Sequence, residues 1–320
     1  MTRWNHRPAE DLTVNPLYSW PPQPMAVAHW YIGAWLPFSI SLGIVGLAWA
    51  AYLIAPTMAE TATLGTWILE IWLRNLALVA VVAHGLHMIF HEWKLQGDAK
   101  KYDPRPFPRT GRMFSFNSQL KDNMFWTMAS GVTIWTAWEC VIWWAMANGY
   151  APRTTFPATP IWFIAFFLLI PVWESFYFYW IHRALHSRIM YRFHALHHRN
   201  TDVGPWSGLS MHPLEHVMYF GTAFIHFFVP THPVHIIAHL MFYGLYAITT
   251  HTGFEGLFSG QKKRVHLGQF HHQMHHRFFE VNYGTPEVPW DKFFGTFHDG
   301  SAKAEEAMKV RLKERASMRK

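Results

Sequence analysis

The sequence predicts an all-α integral membrane bundle of about four transmembrane helices plus a re-entrant helical hairpin, capped by a cytosolic histidine-rich helical domain. Three observations predict it. Of 320 residues, 51% are hydrophobic and 15% charged, against about 25% charged in ordinary soluble domains. Uncharged or nearly uncharged apolar runs long enough to cross a bilayer recur between residues 31 and 180. Finally, 18 of the 23 histidines fall between His182 and His298. Many are spaced i, i+3 and i+4, which aims several rings of one helix at one point.

Residues 1–28 read as a polar segment in which Pro16, Pro21, Pro22 and Pro24 block regular structure. Residues 29–181 form the transmembrane region. Its first span runs from Tyr31 to about Ile54. The second, Leu64 to about Phe90, carries Glu70 and Arg74 at i, i+4, a pair that could neutralise itself. Met124 to about Ala147 is the third span and Ile161 to about Trp180 the fourth. Residues 182–298 form a histidine-rich di-metal domain. Within it, the apolar stretch 217–250 is broken by Pro230 and Pro233 into halves too short to cross, hence the re-entrant hairpin. Residues 299–320 are a charged, helix-prone tail. No secretory signal is visible at the N-terminus.

Seven lysines and arginines lie in the 93–122 loop, none in 56–63 and one, Arg153, in 149–160; Arg3 and Arg7 precede the first span. The positive-inside rule therefore puts both termini, the 93–122 loop and the histidine clusters on the cytoplasmic side of a multi-pass protein. The net charge of +7 is assigned to loops facing an anionic leaflet rather than to nucleic acid. The single cysteine, Cys140, rules out an internal disulfide, a cysteine-based zinc site and a four-thiolate iron–sulfur cluster.

The clusters are HRALH (182–186), HALHH (194–198) and HHQMHH (271–276), with His212 in HPLE and His251 in HTGFE between them. Eight or more imidazoles exceed what one ion can take, so two nearby ions are expected. Imidazole suits iron, zinc, copper or nickel. The sequence lacks an HExxH zinc-hydrolase motif and the Glu-x-x-His pair of ferritin-like di-iron proteins. His84, His87 and His91 form a further group outside the main clusters.

The order HRALH, FHALHH, HPLE, HTGFE, HHQMHH, NYG (282–284) and WDKFFGT (290–296) resembles the fatty acid hydroxylase/sterol desaturase superfamily over roughly residues 165–298. The resemblance implies a membrane di-iron oxidoreductase. It would use O2 as co-substrate to hydroxylate or desaturate a C–H bond of a sterol-like or fatty acyl or alkyl lipid. It implies His182, His186, His194, His197, His198, His272, His275 and His276 as ligands of two irons, with His212 and His251 as additional ones. Zinc would also bind such a set in a purified sample. His216, His271, Glu174, Asp202, Glu215, Asn282 and Asp291 are candidates to hold ligand rings through their other N–H. The chain has no cytochrome b5 signature and no dinucleotide fingerprint, so an external donor is expected, of cytochrome b5, ferredoxin or reductase type. Two other readings stand beside this one: a non-catalytic membrane metal-binding or transport protein, and a zinc-dependent lipid hydrolase.

Overall fold

A computed structural model describes residues 16–19, 21–32, 42–103, 105–260, 262–267, 270–285 and 287–317. The first fifteen residues, with Arg3 and Arg7, and residues 33–41 of the expected first span lie outside them. The described residues are mostly helical, at 64%. The helices are α1 (Pro24–Trp30), α2 (Leu42–Leu53), α3 (Trp67–His87), α4 (Gln119–Trp126), α5 (Thr133–Ala147), α6 (Pro160–Leu185), α7 (Tyr191–His198), α8 (Pro213–Phe220), α9 (Pro233–Thr250), α10 (Phe270–Phe278), α11 (Trp290–Phe293) and α12 (Ala302–Ser317). Two helical stretches, Trp67–Glu92 and Pro160–Leu185, are long and apolar enough to cross a membrane. Their outer faces carry large apolar side chains such as Leu69, Val81, Ile164 and Leu168, all exposed.

The expected third span is interrupted: between α4 and α5 the residues Thr127–Val132 form a π-helical segment. One departure from an all-α fold is an antiparallel hairpin, β1 (Gly256–Ser259) and β2 (Lys262–His266). Gly260, at φ 62°, takes the left-handed turn conformation that glycine tolerates.

The expected Glu70–Arg74 pair is not formed. Glu70 is exposed, and Arg74 reaches across to Glu139 of α5 at 2.6 Å. The physical reason is burial: Glu139 is wholly buried, and an unpaired buried carboxylate is far costlier than an exposed one. Asn75 Nδ2 also donates to Glu139 and to Thr136.

Residues 213–250 form a helical hairpin of α8, a 3₁₀ segment at Gly221–Phe227 and α9. Its turn reaches the end of the bundle where α6 begins. There Trp162 Nε1 donates to Pro230 O at 2.8 Å, and Thr154 N donates to Thr231 O at 3.1 Å. Every residue of α9 from Pro233 to Ile248 is buried. It packs against α2, α3, α5 and α6, so α9 forms the middle of the core. The opposite end of the bundle gathers the 93–122 loop and the histidine clusters. Lys101 Nζ there meets Asp202 at 3.1 Å, and Arg109 donates to Thr201 at 3.1 Å. The tail helix α12 turns Arg311 toward the Gly295 and Glu280 carbonyls.

Candidate metal centre

Four helices bring nine histidines together at that end. The last turn and C-cap of α6 supply His182 and His186. α7 supplies His194, His197 and His198, the C-cap of α9 supplies His251, and α10 supplies His272, His275 and His276. They fall into two groups. His182, His186, His194, His198 and His275 form one; His197, His251, His272 and His276 form the other. Within each group, one ring nitrogen from every residue lies within 4.8 Å of the rest.

The split follows from helix geometry. At about 100° per residue, positions i and i+4 are about 40° apart, while i+3 and i+4 are about 100° apart. Thus His194 and His198 share a group and His197 turns to the other. In α10 the pair His272 and His276 faces the second group and His275 the first. α7 and α10 therefore each serve both groups and fix their separation, while α6 serves only the first and α9 only the second.

The ring nitrogens converge closely. Nε2 atoms of His186, His198 and His275 lie 3.0–3.1 Å apart. Those of His251, His272 and His276 lie 3.0–3.1 Å apart as well. Several of these rings have their Nδ1–H committed outward. His275 Nδ1 donates to Val281 O at 2.6 Å and His251 Nδ1 to Ala247 O at 2.7 Å. His182 Nδ1 donates to Tyr283 O at 2.7 Å, His197 Nδ1 to Ser210 O at 3.4 Å and His194 Nδ1 to Glu215 Oε1 at 2.6 Å. A neutral ring that donates through Nδ1 presents a bare lone pair at Nε2. Lone pairs facing one another in a dry interior repel unless a cation lies among them. A spacing near 3 Å also suits nitrogens about 2.0–2.1 Å from one ion at near right angles. The residues present therefore fit two imidazole-bound metal ions.

Electrostatics agree. Burial holds His194 down to about 3 and His197 to about 4. Burial and then neighbouring rings hold His186 down to about 2. His198, His251, His272, His275 and His276 are held well below their ordinary value by burial first and neighbouring rings next. These rings are neutral near pH 7, the form that binds metal. Burial pushes the Glu215 carboxyl up to about 8, so it becomes a full carboxylate only when positive charge gathers beside it.

The remaining expected residues are arranged as follows. Asp291 takes Tyr283 N on Oδ1 and Gly284 N on Oδ2, both at 2.8 Å. It thereby fixes the loop whose Tyr283 carbonyl orients His182. Asn282, at φ 53°, ties that loop to the His271 and His298 carbonyls. His212 is not brought to the rings. It caps α8, its Nδ1 accepting from Leu214 N at 3.1 Å, and packs on Phe193. His216 accepts from Ser130 Oγ and donates to Leu209 O, away from both groups. His271 faces Asp291 at 3.5 Å and Phe297. Asp202 binds Lys101. Glu174 lies deeper in the bundle, 3.2 Å from His239. His91 donates to Thr252 O at 3.0 Å and so holds the chain beside His251.

Sequence reasoning missed the carbonyls of Ala247, Ser210, Val281 and Tyr283, because backbone acceptors carry no side-chain signature. It missed a cavity too. Phe178, Ile181, Met211, Tyr219, Tyr243 and Tyr246 line it, and His182, His194, His197, His251 and His272 form part of its wall. Both histidine groups thus border one apolar space.

Residues 167–296 match the family model described as fatty acid hydroxylase. The chain is 33% identical over 129 residues to human lathosterol oxidase, covering 39% of this chain and 42% of that protein. It is 31% identical to the Delta(7)-sterol 5(6)-desaturase ERG3A of Gibberella zeae, over 45% of this chain and 41% of the relative. It is 31% identical to the C-4 methylsterol oxidase erg25 of Schizosaccharomyces pombe, over 47% and 53%. The matches thus span about half or less of each relative's own length. No solved structure matches. The histidine-rich region carries the hallmarks of the fatty acid hydroxylase/sterol desaturase superfamily, as the motifs imply.

Proposed function

We propose that this protein is a membrane-bound di-iron oxidoreductase that uses O2 to hydroxylate or desaturate a C–H bond of a sterol-like lipid. The observation that carries this reading is the pair of converging Nε2 sets beside an apolar cavity. Away from the histidines and Glu215, the cavity wall is largely aromatic and aliphatic, which suits a lipid chain or ring. Five histidines would hold one iron and four the other. When bound, two irons supply the oxidising power that an unactivated C–H bond demands. The chain's own residues do the rest. The carbonyls of Ala247, Val281 and Tyr283 orient the rings, and Glu215 Oε1 accepts a hydrogen bond from His194 Nδ1. The aromatic wall binds the lipid and excludes water.

The sterol names of the relatives support the substrate class. Clustering of the histidines with the basic 93–122 loop supports a cytoplasmic site on a four-span bundle, with 217–250 as an internal hairpin. Two electrons come from a separate donor protein. The test is metal analysis with Mössbauer spectroscopy on protein purified after growth on enriched iron, followed by O2 uptake with sterols and a reductant. About two irons per chain and sterol-dependent uptake are expected. Zinc that iron cannot replace, with no uptake under any reductant, would overturn the proposal.

A further inference from the structure

Two buried polar atoms, one in the cavity wall and one on the α6 turn next to it, have no hydrogen-bond partner. Tyr243 lines the cavity and is 2% exposed, and its hydroxyl is unpartnered. Its neighbours are satisfied: Tyr219 donates to Tyr243 O at 3.0 Å and Tyr177 to Met218 O at 2.7 Å. Glu174 is 3% exposed and sits on α6 one helical turn before Phe178, which lines the cavity. Its Oε1 is 3.2 Å from His239 Nε2. That ring nitrogen is aligned with Thr222 Oγ1 instead, at 3.2 Å, which leaves Glu174 Oε1 without a hydrogen bond. His239 is held in turn by His226, and His226 by Thr231, at 3.0 and 2.8 Å.

Leaving a buried polar group unpaired costs about 1–3 kcal/mol, and here one such group, the Tyr243 hydroxyl, lines the cavity, while the other, Glu174, lies one turn from the lining residue Phe178 on α6. A ligand hydroxyl satisfies both at once, since it donates one hydrogen bond and accepts another.

We infer that Tyr243 and Glu174 form the polar end of the lipid site and bind a hydroxyl group of an apolar, sterol-like substrate. This deepens the proposed function and rests on it. The substrate hydroxyl donates to Glu174 Oε1 and accepts from Tyr243 OH. Along α6, Glu174 and His182 are eight residues apart, about 12 Å at 1.5 Å per residue. The oxidised carbon therefore lies on the order of 10 Å from the bound hydroxyl.

The experiment is equilibrium binding of radiolabelled cholestanol and cholestane, which differ only in the hydroxyl, to metal-loaded protein in nanodiscs. Wild-type protein, Tyr243→Phe and Glu174→Gln are compared. Wild-type protein is expected to favour the alcohol at least tenfold. Each variant is expected to lose most of that preference while cholestane binds as before, which also reports that the site is folded. Equal binding of the two lipids by wild-type protein would overturn the inference, as would an undiminished preference in both variants. Metal content and O2 uptake, measured on the same samples, separate the two readings. Two irons with lipid-dependent uptake but no preference for the alcohol sink only the hydroxyl site. Absence of iron and of binding by either lipid sinks both.

Discussion

Replacing Glu215 by glutamine should weaken one metal site and spare the other. Glu215 is 1% exposed, and its Oε1 accepts from His194 Nδ1 at 2.6 Å. His194 belongs to the five-histidine group, whereas His197, on the same helix, belongs to the four-histidine group. The amide keeps the shape and an acceptor oxygen but cannot carry charge. Hydrogen bonds to charged groups contribute about 1.5–3 kcal/mol and neutral ones about 0.5–1.5. The loss is therefore about 1–1.5 kcal/mol, or about tenfold in metal affinity. It falls at the lower end of the 10–100-fold range typical of such supporting groups. The assay is anaerobic titration with ferrous iron against a chromophoric chelator, with metal counted at equilibrium. The variant should fill one site as the wild type does and the other about tenfold more weakly. Equal weakening of both sites would show that Glu215 acts through the fold. Unchanged affinity at both would show that its contact with His194 does not tune the metal. Either result refutes the argument.

Other outcomes follow from the same structure. His212→Ala should keep two metals per chain and lose about 0.5–2 kcal/mol of stability through the α8 cap, whereas His276→Ala should lose one metal; metal counts and thermal melts on both variants check this. In Gly208→Ala the added Cβ would lie 2.2 Å from Ala247 O, so a drop of about 1–3 kcal/mol is expected in thermal melts, because backbone meets backbone and no side chain can yield. Metal-free protein should lose stability as the pH falls. Unfolded imidazoles bind protons below about 6.5, but burial holds His194 and His216 to about 3 and His197 to about 4. Between those values the unfolded state binds more protons, so stability declines with pH through that window; a midpoint that stays flat in melts across it would contradict this. Cys140 is the only cysteine and is buried. Single cysteines introduced at Arg112 and Arg153 should therefore report topology: an impermeant thiol reagent applied to sealed cells should reach position 153 and not 112.

Particular residues divide what the chain alone specifies from what folding decides. Local periodicity is written in the sequence. The i, i+4 spacing of His182 and His186, of His194 and His198, and of His272 and His276 foretells shared helix faces, and apolar runs foretell α3 and α6. Even the partition into two groups is latent in the 100° step between His197 and His198. Long-range pairing is not. Whether Arg74 meets Glu70 one turn away or Glu139 on another helix depends on which carboxylate becomes buried. Whether His212 reaches the metal groups depends on how the chain enters α8, where a backbone N–H claims its ring. The anchors of His182, His251 and His275 are main-chain carbonyls, identical in every residue type and visible only once the loops are placed. Tyr243 becomes a cavity residue only because α6, α8 and α9 pack around one space. Spacing along one helix is fixed by 3.6 residues per turn, whereas burial and partnership are properties of the assembled core.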